Sequence, residues 1–266
     1  MRYIVVTDLD GTLLDHQTYE FTPALNAIAE LSRQEIPIIL NSSKTQAEIL
    51  AIRRELENQE PFICENGGIL CLSSDESSDS INSQGSTTQY LGVPRHQFLS
   101  SLDLIKEKLG LNYQGFAQSS VEDVVSWTGL TASDAHKAMQ RQATEPLLWH
   151  DSEEALDTFR QELKKLALQC VKGGRFHHVM GLFNKASCFP QLKEYYSQHW
   201  QKEIGIIALG DSPNDLPMLE QADYAVVIPS AKGGNLQPNQ SSVFFATQPG
   251  PHGWQEGIDF WLKSIH

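Results

Sequence analysis

The sequence has 266 residues, which is enough to bury a full core in one large domain or in two modest ones. Its 33 acidic residues outnumber its 20 basic residues, and the formal net charge of −13 argues against non-specific binding to nucleic acid or to an anionic membrane. An anionic small molecule would need a local cluster of Lys, Arg or backbone N–H groups to reverse that sign.

The four cysteines form no C-x-x-C pair, which predicts a reducing compartment without a disulfide framework. Asp8 and Asp10 interrupt the first apolar run, so it lacks the form of a signal peptide, and no stretch is long enough to span a bilayer. We therefore expect a cytoplasmic monomer or dimer that acts on a small molecule and has no nucleic-acid or membrane partner.

Apolar runs alternate with amphipathic stretches through the first third of the chain. An order of strand, helix, strand, helix, strand predicts right-handed crossovers and a parallel sheet. The predicted elements are a strand at 3–7, a helix at 23–34, a strand at 37–40, a helix at 45–57 and a strand at 61–64.

The amino-acid composition changes after residue 72. Residues 73–88 are almost entirely polar or glycine, which predicts a flexible linker or a loose hairpin tip that leads into an inserted unit. The pattern beyond them is typical of an α+β module. Its predicted helices are 94–109, 120–128, 133–141 and 153–167, and its predicted strands are 147–150 and 175–180.

The α/β alternation returns from Lys185, with a helix that ends at Trp200, a strand at 205–209, a short helix and a strand at 224–228. The second unit is therefore predicted to be inserted into the first. We predict an α/β fold with a Rossmann-like parallel-sheet core, residues 1–88 and 183–266, and an inserted α+β cap domain, residues 89–182.

Two carboxylates, Asp8 and Asp10, directly follow the first predicted strand. Ligands of an open α/β sheet bind outside the carboxyl ends of its strands, so both side chains are expected at the mouth of a site. They repel each other unless a cation lies between them, and oxygen ligands without His or Cys favour Mg²⁺ over Zn²⁺. The alternatives are an Asx turn and a calcium loop, but a calcium loop needs a third ligand where Thr12 stands and a helix in front.

Three further segments are candidates for the same site. Residues 41–45 (NSSKT) place hydroxyls and free N–H groups at a helix N-terminus, which suits a phosphate, although an ordinary N-cap is the better explanation of this loop taken alone. Lys185 opens a predicted helix against the helix dipole, which indicates either pairing with carboxylates or a solvated surface position. Residues 210–215 (GDSPND) add Asp211 at a third strand end and Asp215 one helical turn later.

Together, DLDGT at 8–12, Ser42, Lys185 and GDSPND at 210–215 resemble the four motifs of the haloacid dehalogenase superfamily. Further segments resemble the mannosyl-3-phosphoglycerate phosphatases within it, and this resemblance covers nearly the whole chain. These segments are NSSKT at 41–45, ENGG at 65–68, TGL at 128–130, GGRF at 173–176 and GPHGW at 250–254.

The resemblance implies a role for each matching residue. Asp8 would be the nucleophile that forms an aspartyl-phosphate, and Asp10 would protonate the leaving oxygen and then activate water, with Lys185 as the third catalytic residue. The implied cofactor is Mg²⁺, with Asp8, Asp10, Asp211 and Asp215 as its ligands. The residues implied to bind substrate are Ser42, Ser43, Lys44, Glu65, Asn66, Arg175, His178 and Asn214.

The implied activity is a Mg²⁺-dependent phosphatase acting on a glycosyl-3-phosphoglycerate, with the mannosyl ester as the first choice. The alternatives are the glucosyl ester or another sugar phosphate, a sugar phosphomutase, and a non-catalytic phosphosugar-binding protein, which would have no use for a nucleophile beside an acid. Arg175 is the candidate clamp for the glycerate carboxylate, because its guanidinium matches a carboxylate bidentately. His177 and His178 alternate across a predicted strand, so at most one of them faces the cleft.

Overall fold

The computed structural model describes residues 1–72, 88–230 and 236–265. Its strands fall into two separate sheets. In chain order they are β1 (Arg2–Thr7), β2 (Ile38–Asn41), β3 (Phe62–Cys64), β4 (Ile69–Cys71), β5 (Thr88–Tyr90), β6 (Tyr113–Gly115), β7 (Thr144–Trp149), β8 (Leu168–Lys172), β9 (His177–Gly181), β10 (Ile204–Gly210), β11 (Tyr224–Val227) and β12 (Val243–Phe245).

The larger sheet has eight strands in the order β12-β11-β10-β1-β2-β3-β4-β5. The pairs from β12 to β3 are parallel, and β4 and β5 add an antiparallel edge. Ile4, Val5 and Val6 of β1 are fully buried, as expected for a central parallel strand covered on both faces. The predicted α/β fold with a parallel-sheet core is confirmed.

Helices cover both faces of this sheet. Val5 packs in one apolar cluster with residues of α1, α2 and α9, whereas Ile4 and Val6 pack in another with residues of α7 and α8. None of the helices in the described ranges is long and apolar enough to cross a membrane. The helices are α1 (Leu25–Arg33), α2 (Gln46–Glu55), α3 (Arg95–Leu109), α4 (Val121–Thr128), α5 (Ala132–Met139), α6 (Glu153–Lys164), α7 (Phe189–Trp200), α8 (Leu216–Gln221) and α9 (Gly250–Ser264).

The smaller sheet belongs to the segment between β5 and α7. Its antiparallel strands run in the order β6-β7-β9-β8, and α3 and α6 pack on one of its faces. Helices α4 and α5 form a separate apolar cluster with Phe116 and Phe176. We call the segment from α3 to β9 the cap.

The structure differs from the predicted elements in several places. The helix predicted from Lys185 begins only at Phe189, because residues 185–188 form a turn. The helix predicted to residue 167 ends at Lys164, and Ala167, at φ +54°, leads into the unpredicted strand β8. Strands of three residues, such as β4, β6 and β12, are too short to show alternation in the sequence. Most of the polar segment 73–88 lies outside the described residues, and its last residue opens β5.

Candidate active site

The polar segments singled out in the sequence meet at one edge of the core sheet. Thr7 at the end of β1 aligns with Leu209 of β10 and Leu40 of β2, and Asn41 at the end of β2 aligns with Ile63 of β3. This edge is where the carboxyl ends of parallel strands form ligand sites. The residues that follow these strand ends are Asp8, Asp211, Ser42 and Glu65.

Lys185 lies between two buried carboxylates. Its Nζ donates to Oδ1 of Asp8 at 2.5 Å and to Oδ1 of Asp215 at 2.6 Å, and the side chain is only 1% exposed. Its backbone carbonyl accepts a hydrogen bond from Nδ2 of Asn41 at 2.8 Å, which ties the turn before α7 to the end of β2. The structure therefore places Lys185 among carboxylates and not on the surface.

Asp215 organises the loop that bears Asp211. Oδ2 of Asp215 accepts hydrogen bonds from the backbone N–H groups of Asp211 at 3.1 Å and Ser212 at 2.9 Å. Asp211 in turn accepts one from the hydroxyl of Thr12 at 3.1 Å. The turn after Asp10 needs a glycine, because Gly11 has φ +85° and a Cβ there would lie 2.8 Å from Oδ2 of Asp211.

The carboxylate cluster has the composition of a divalent-metal site. Asp8, Asp211 and Asp215 each offer an oxygen within 4.8 Å of the others. Three carboxylates beside the single ammonium of Lys185 leave two surplus negative charges in a buried place, and hard oxygen donors of this kind suit Mg²⁺. The carboxylate of Asp10, which the sequence also predicted as a ligand, lies outside this group.

The pKa values of these side chains are shifted by the same surplus of negative charge. Burial and the repulsion of Asp215 raise the pKa of Asp8 well above its ordinary range, and the same two causes raise the pKa of Asp211 to about 7. Burial alone would lower the pKa of Lys185, but the attraction of Asp215 and Asp8 outweighs burial and raises it. A cation bound among the carboxylates would relieve this repulsion.

Asp10 faces a different partner, Lys44. Its Oδ2 lies 2.9 Å from the Lys44 ammonium, whose side chain is 13% exposed. Burial would lower the pKa of Lys44, but Asp10 and then Glu48 attract the ammonium and raise it. Oδ1 of Asp10 is buried and has no hydrogen-bond partner in the described ranges. One oxygen of Asp10 is thus left for a group that enters the cleft.

In the segment 41–45, the residue that caps the following helix is Thr45 and not one of the two serines. Thr45 is the N-cap of α2 and forms a capping box with Glu48. Ser42 and Ser43 are therefore not needed to cap the helix. The Ser42 hydroxyl, in a residue that is 1% exposed, accepts a hydrogen bond from the N–H of Lys44 at 3.3 Å.

Glu65 holds the cap. It is fully buried, and its carboxylate accepts four hydrogen bonds of 2.7–3.1 Å from the N–H groups of Gln142, Ala143 and Thr144 and from the Thr144 hydroxyl. Four donors saturate a carboxylate, so the cap takes up the hydrogen-bonding capacity of Glu65, and its role in binding substrate stays a prediction. The adjacent Asn66 accepts a hydrogen bond from Nδ2 of the predicted substrate-binding Asn214 at 3.1 Å, so these two contact each other.

A protein-family model described as haloacid dehalogenase-like hydrolase matches residues 5–234 of the chain. That span is well over half of the sequence and includes the strand-end residues described above. The chain belongs to the haloacid dehalogenase-like hydrolases.

Solved structures similar to this hydrolase cover its whole length. One is a haloacid dehalogenase-like hydrolase from Bacteroides thetaiotaomicron, with 17% identity, a TM-score of 0.67 and 100% of both chains covered. Another protein of that organism, described among the phosphatases of the superfamily, has 18% identity, a TM-score of 0.67 and 95% of its chain covered. A subclass IIB sugar phosphatase has 15% identity, a TM-score of 0.67 and 99% of its chain covered. At such identities the likeness shows a shared fold.

Among the described residues, neither Arg175 nor His178, the two cap residues predicted to bind substrate, forms a hydrogen bond or an ion pair with the carboxylate cluster of this hydrolase. Arg175 is exposed on the loop between β8 and β9, and its Nη1 donates to the carbonyl of Trp127 at the end of α4. His178 is buried on the face of β9 that also bears Met180, which packs in the core cluster. Burial lowers the pKa of His178 to about 3, and Arg141 and His177 add to the effect, so the imidazole is neutral at pH 7.

Arg141 is a cap residue that the sequence did not single out. Its Nη1 donates to the carbonyl of Ser43 at 3.1 Å and to the Thr144 hydroxyl at 2.9 Å, and its Nε donates to the carbonyl of Ala138. It therefore joins the cap to the loop after β2. Arg141 closes a predicted helix in the sequence, where an arginine is ordinary, so no local signal marks it.

Removal of divalent metal should destabilise this hydrolase more at pH 8 than at pH 5. Without metal, Asp211 keeps its proton in the folded protein up to a pKa of about 7, against an ordinary value of 3.8 in the unfolded chain. The raised pKa therefore stabilises the metal-free protein at low pH, and this stability is lost as the pH rises towards 7. Bound Mg²⁺ would compete with that proton, so its effect on Tm should grow with pH.

Thermal unfolding with EDTA or with excess Mg²⁺, at pH 5 and pH 8, measures this difference. Asp211→Ala should lose most of the Mg²⁺-dependent shift at both pH values. An equal Mg²⁺ shift at both pH values in the unaltered protein would contradict the prediction.

Proposed function

We propose that this hydrolase is a Mg²⁺-dependent phosphatase that converts a glycosyl-3-phosphoglycerate to glycosylglycerate and phosphate, with the mannosyl ester as the first candidate. The observation that supports it most is the hydrogen bonding of the Asp8 carboxylate, which in the described part of the chain engages only one of its two oxygens. Lys185 holds its Oδ1, while Oδ2 accepts no hydrogen bond from any described residue. A buried carboxylate with one oxygen fixed and the other free is suited to attack phosphorus.

In the proposed reaction, Oδ2 of Asp8 attacks phosphorus and the bond from phosphorus to the ester oxygen breaks. Asp10 gives its proton to the departing oxygen. Asp10 then takes a proton from water, whose oxygen attacks the same phosphorus and frees Asp8. Asp8 and Asp211 would hold Mg²⁺, which supplies positive charge beside the phosphoryl oxygens when it is bound. Ser42 and Lys185 would bind those oxygens from the protein side.

Lys44 has a part in this scheme because it pairs with Asp10. The Lys44 ammonium lies 2.9 Å from Oδ2 of Asp10, whereas the first step requires Asp10 to reach the departing oxygen. We propose that Lys44 moves its contact from Asp10 to an anionic group of the bound substrate. A carboxylate on the leaving group, as in a phosphoglycerate, would serve this purpose.

Phosphate release tests the proposal. The protein would be incubated with glycosyl-3-phosphoglycerates, simple sugar phosphates and an aryl phosphate, each with Mg²⁺ or with EDTA. Mg²⁺-dependent release, fastest for a glycosyl-3-phosphoglycerate, is the expected result. Isomerised sugar phosphate without release would indicate the phosphomutase, and binding without turnover of any ester would overturn the phosphatase.

Arg175→Ala tests the proposed clamp on the glycerate carboxylate. A charged bidentate contact contributes about 1.5–3 kcal/mol, so kcat/KM for a glycosyl-3-phosphoglycerate should fall roughly ten- to a hundredfold. An aryl phosphate has no carboxylate to clamp, and its kcat/KM should barely change. Arg160→Ala is the matched control, since Arg160 is a cap arginine paired with Asp157 within α6. Equal losses on both substrates would make Arg175 a structural residue.

A further inference from the structure

The C-terminal helix α9 reaches the segment that bears the nucleophile. Trp254 is fully buried, and its indole N–H donates to the hydroxyl of Thr7, the last residue of β1, at 3.0 Å. That hydroxyl donates to the backbone carbonyl of Asp8 at 2.7 Å. The proposed reaction uses neither side chain, although their hydrogen bonds end on the nucleophile's own peptide group.

The geometry fixes the direction of this chain of hydrogen bonds. A threonine hydroxyl has one proton and two acceptor lone pairs, and an indole N–H is only a donor. Because Trp254 donates to the oxygen of Thr7, the hydroxyl proton is directed away from the indole and towards the Asp8 carbonyl. Thr7 is fully buried, so water does not compete for either bond.

The backbone carbonyl of Asp8 receives its hydrogen bond from this Trp254–Thr7 series. The N–H of Asp8 still belongs to the sheet, since it donates to the carbonyl of Leu209 in β10 at 3.0 Å. Its carbonyl lies past the end of β1, and among the described residues the donor it finds is the Thr7 hydroxyl. The two peptide planes that flank Asp8 are thus held separately, the one before it by the strand ladder and the one after it by Trp254 and Thr7.

We infer that Trp254 is a positioning residue that aims the Asp8 carboxylate by fixing the peptide plane after Asp8 through the Thr7 hydroxyl. This inference rests on the proposed function, in which Asp8 is the nucleophile. A shift of the peptide plane swings the side chain that attacks phosphorus, and small displacements of reacting groups are costly in rate. Binding of substrate, in contrast, involves other groups and should change little.

Three single variants and one double variant test the inference. Trp254→Phe keeps most of the buried ring and removes the N–H, and Thr7→Val keeps the shape and removes the hydroxyl. Each should lower kcat roughly tenfold, with KM changed by less than about twofold. The double variant should be little worse than either single variant, because both remove the same chain of hydrogen bonds. Thr7→Ser restores the hydroxyl and should recover most of kcat.

Trp261→Phe is the matched control. Trp261 lies in the same helix and is buried, and its indole N–H donates to the carbonyl of Ala225 in β11 at 3.2 Å, away from the nucleophile. This variant loses the same kind of hydrogen bond and should keep kcat. Equal kcat values for Trp254→Phe and Trp261→Phe, or additive losses in the double variant, would overturn the inference.

Hydrogen exchange separates this inference from the proposed function. The backbone amides of residues 8–12 should exchange faster in Trp254→Phe and Thr7→Val than in Trp261→Phe, whatever the substrate. Unchanged exchange at 8–12 would refute the positioning role by itself. Absence of phosphate release by the unaltered protein would instead refute the proposed function.

Discussion

An Asp8→Asn variant is expected to lose phosphatase activity by a factor on the order of a thousand or more, because an amide is not a nucleophile towards phosphorus. Its fold should persist, since the amide oxygen can still accept the hydrogen bond that Lys185 gives to Asp8. The substitution also removes one of the surplus negative charges, so the Tm in EDTA should not fall. Phosphate release and thermal unfolding measure the two effects.

Asp15→Asn is the control for that experiment. Asp15 lies seven residues after Asp8 and stabilises a local turn. Its carboxylate accepts hydrogen bonds from the N–H groups of Gln17 and Thr18 at 2.9 Å. The phosphatase activity of the Asp15→Asn variant should match that of the unaltered protein. Turnover at the normal rate by Asp8→Asn would rule out Asp8 as the nucleophile.

A Lys185→Met variant should lose both activity and stability. Methionine keeps most of the buried stem and leaves the carboxylates of Asp8 and Asp215 without their shared cation. Removal of one partner from a buried ion pair typically costs roughly 3–5 kcal/mol, and Lys185 is 1% exposed, so solvent does not weaken the effect. Urea unfolding in EDTA at neutral pH measures the change in the free energy of unfolding.

Lys193→Met controls for the loss of a lysine as such. Lys193 pairs with Asp223 at 3.0 Å, but the two side chains are 38% and 36% exposed. A pair of this kind contributes about 0–1 kcal/mol. If Lys185→Met lost no more stability than Lys193→Met, Lys185 would not be the cation that holds the cluster together.

The sequence predicted the parts of this hydrolase that depend on local pattern. Apolar runs located the central strands, and a parallel sheet brings the ends of such strands to one edge, so Asp8, Ser42 and Asp211 could be assigned to one place before any contact was known. The roles of individual residues came from the resemblance to a family. The cluster of Asp8, Asp211 and Asp215 with Lys185 agrees with the metal chemistry expected of that edge.

The sequence could not predict contacts between distant parts of the chain. The hydrogen-bond partners of Glu65 lie 77 to 79 residues away in the cap. Trp254 reaches Thr7 across 247 residues, and Arg141 reaches Ser43 across 98. Such pairs are set by the packing of whole elements, and no local periodicity encodes them.

Glu65 and Asn66 form one turn in which both residues are left-handed, at φ +51° and φ +61°, although neither is glycine. Such a turn is held by its surroundings and changes as a unit. One of its side chains binds the cap, and the other binds Asn214 in the loop of Asp211. The turn therefore connects the cap to the loop of Asp211 through two adjacent side chains. If this connection let bound substrate tighten Mg²⁺ binding, thermodynamic reciprocity would require Mg²⁺ to tighten substrate binding by the same factor.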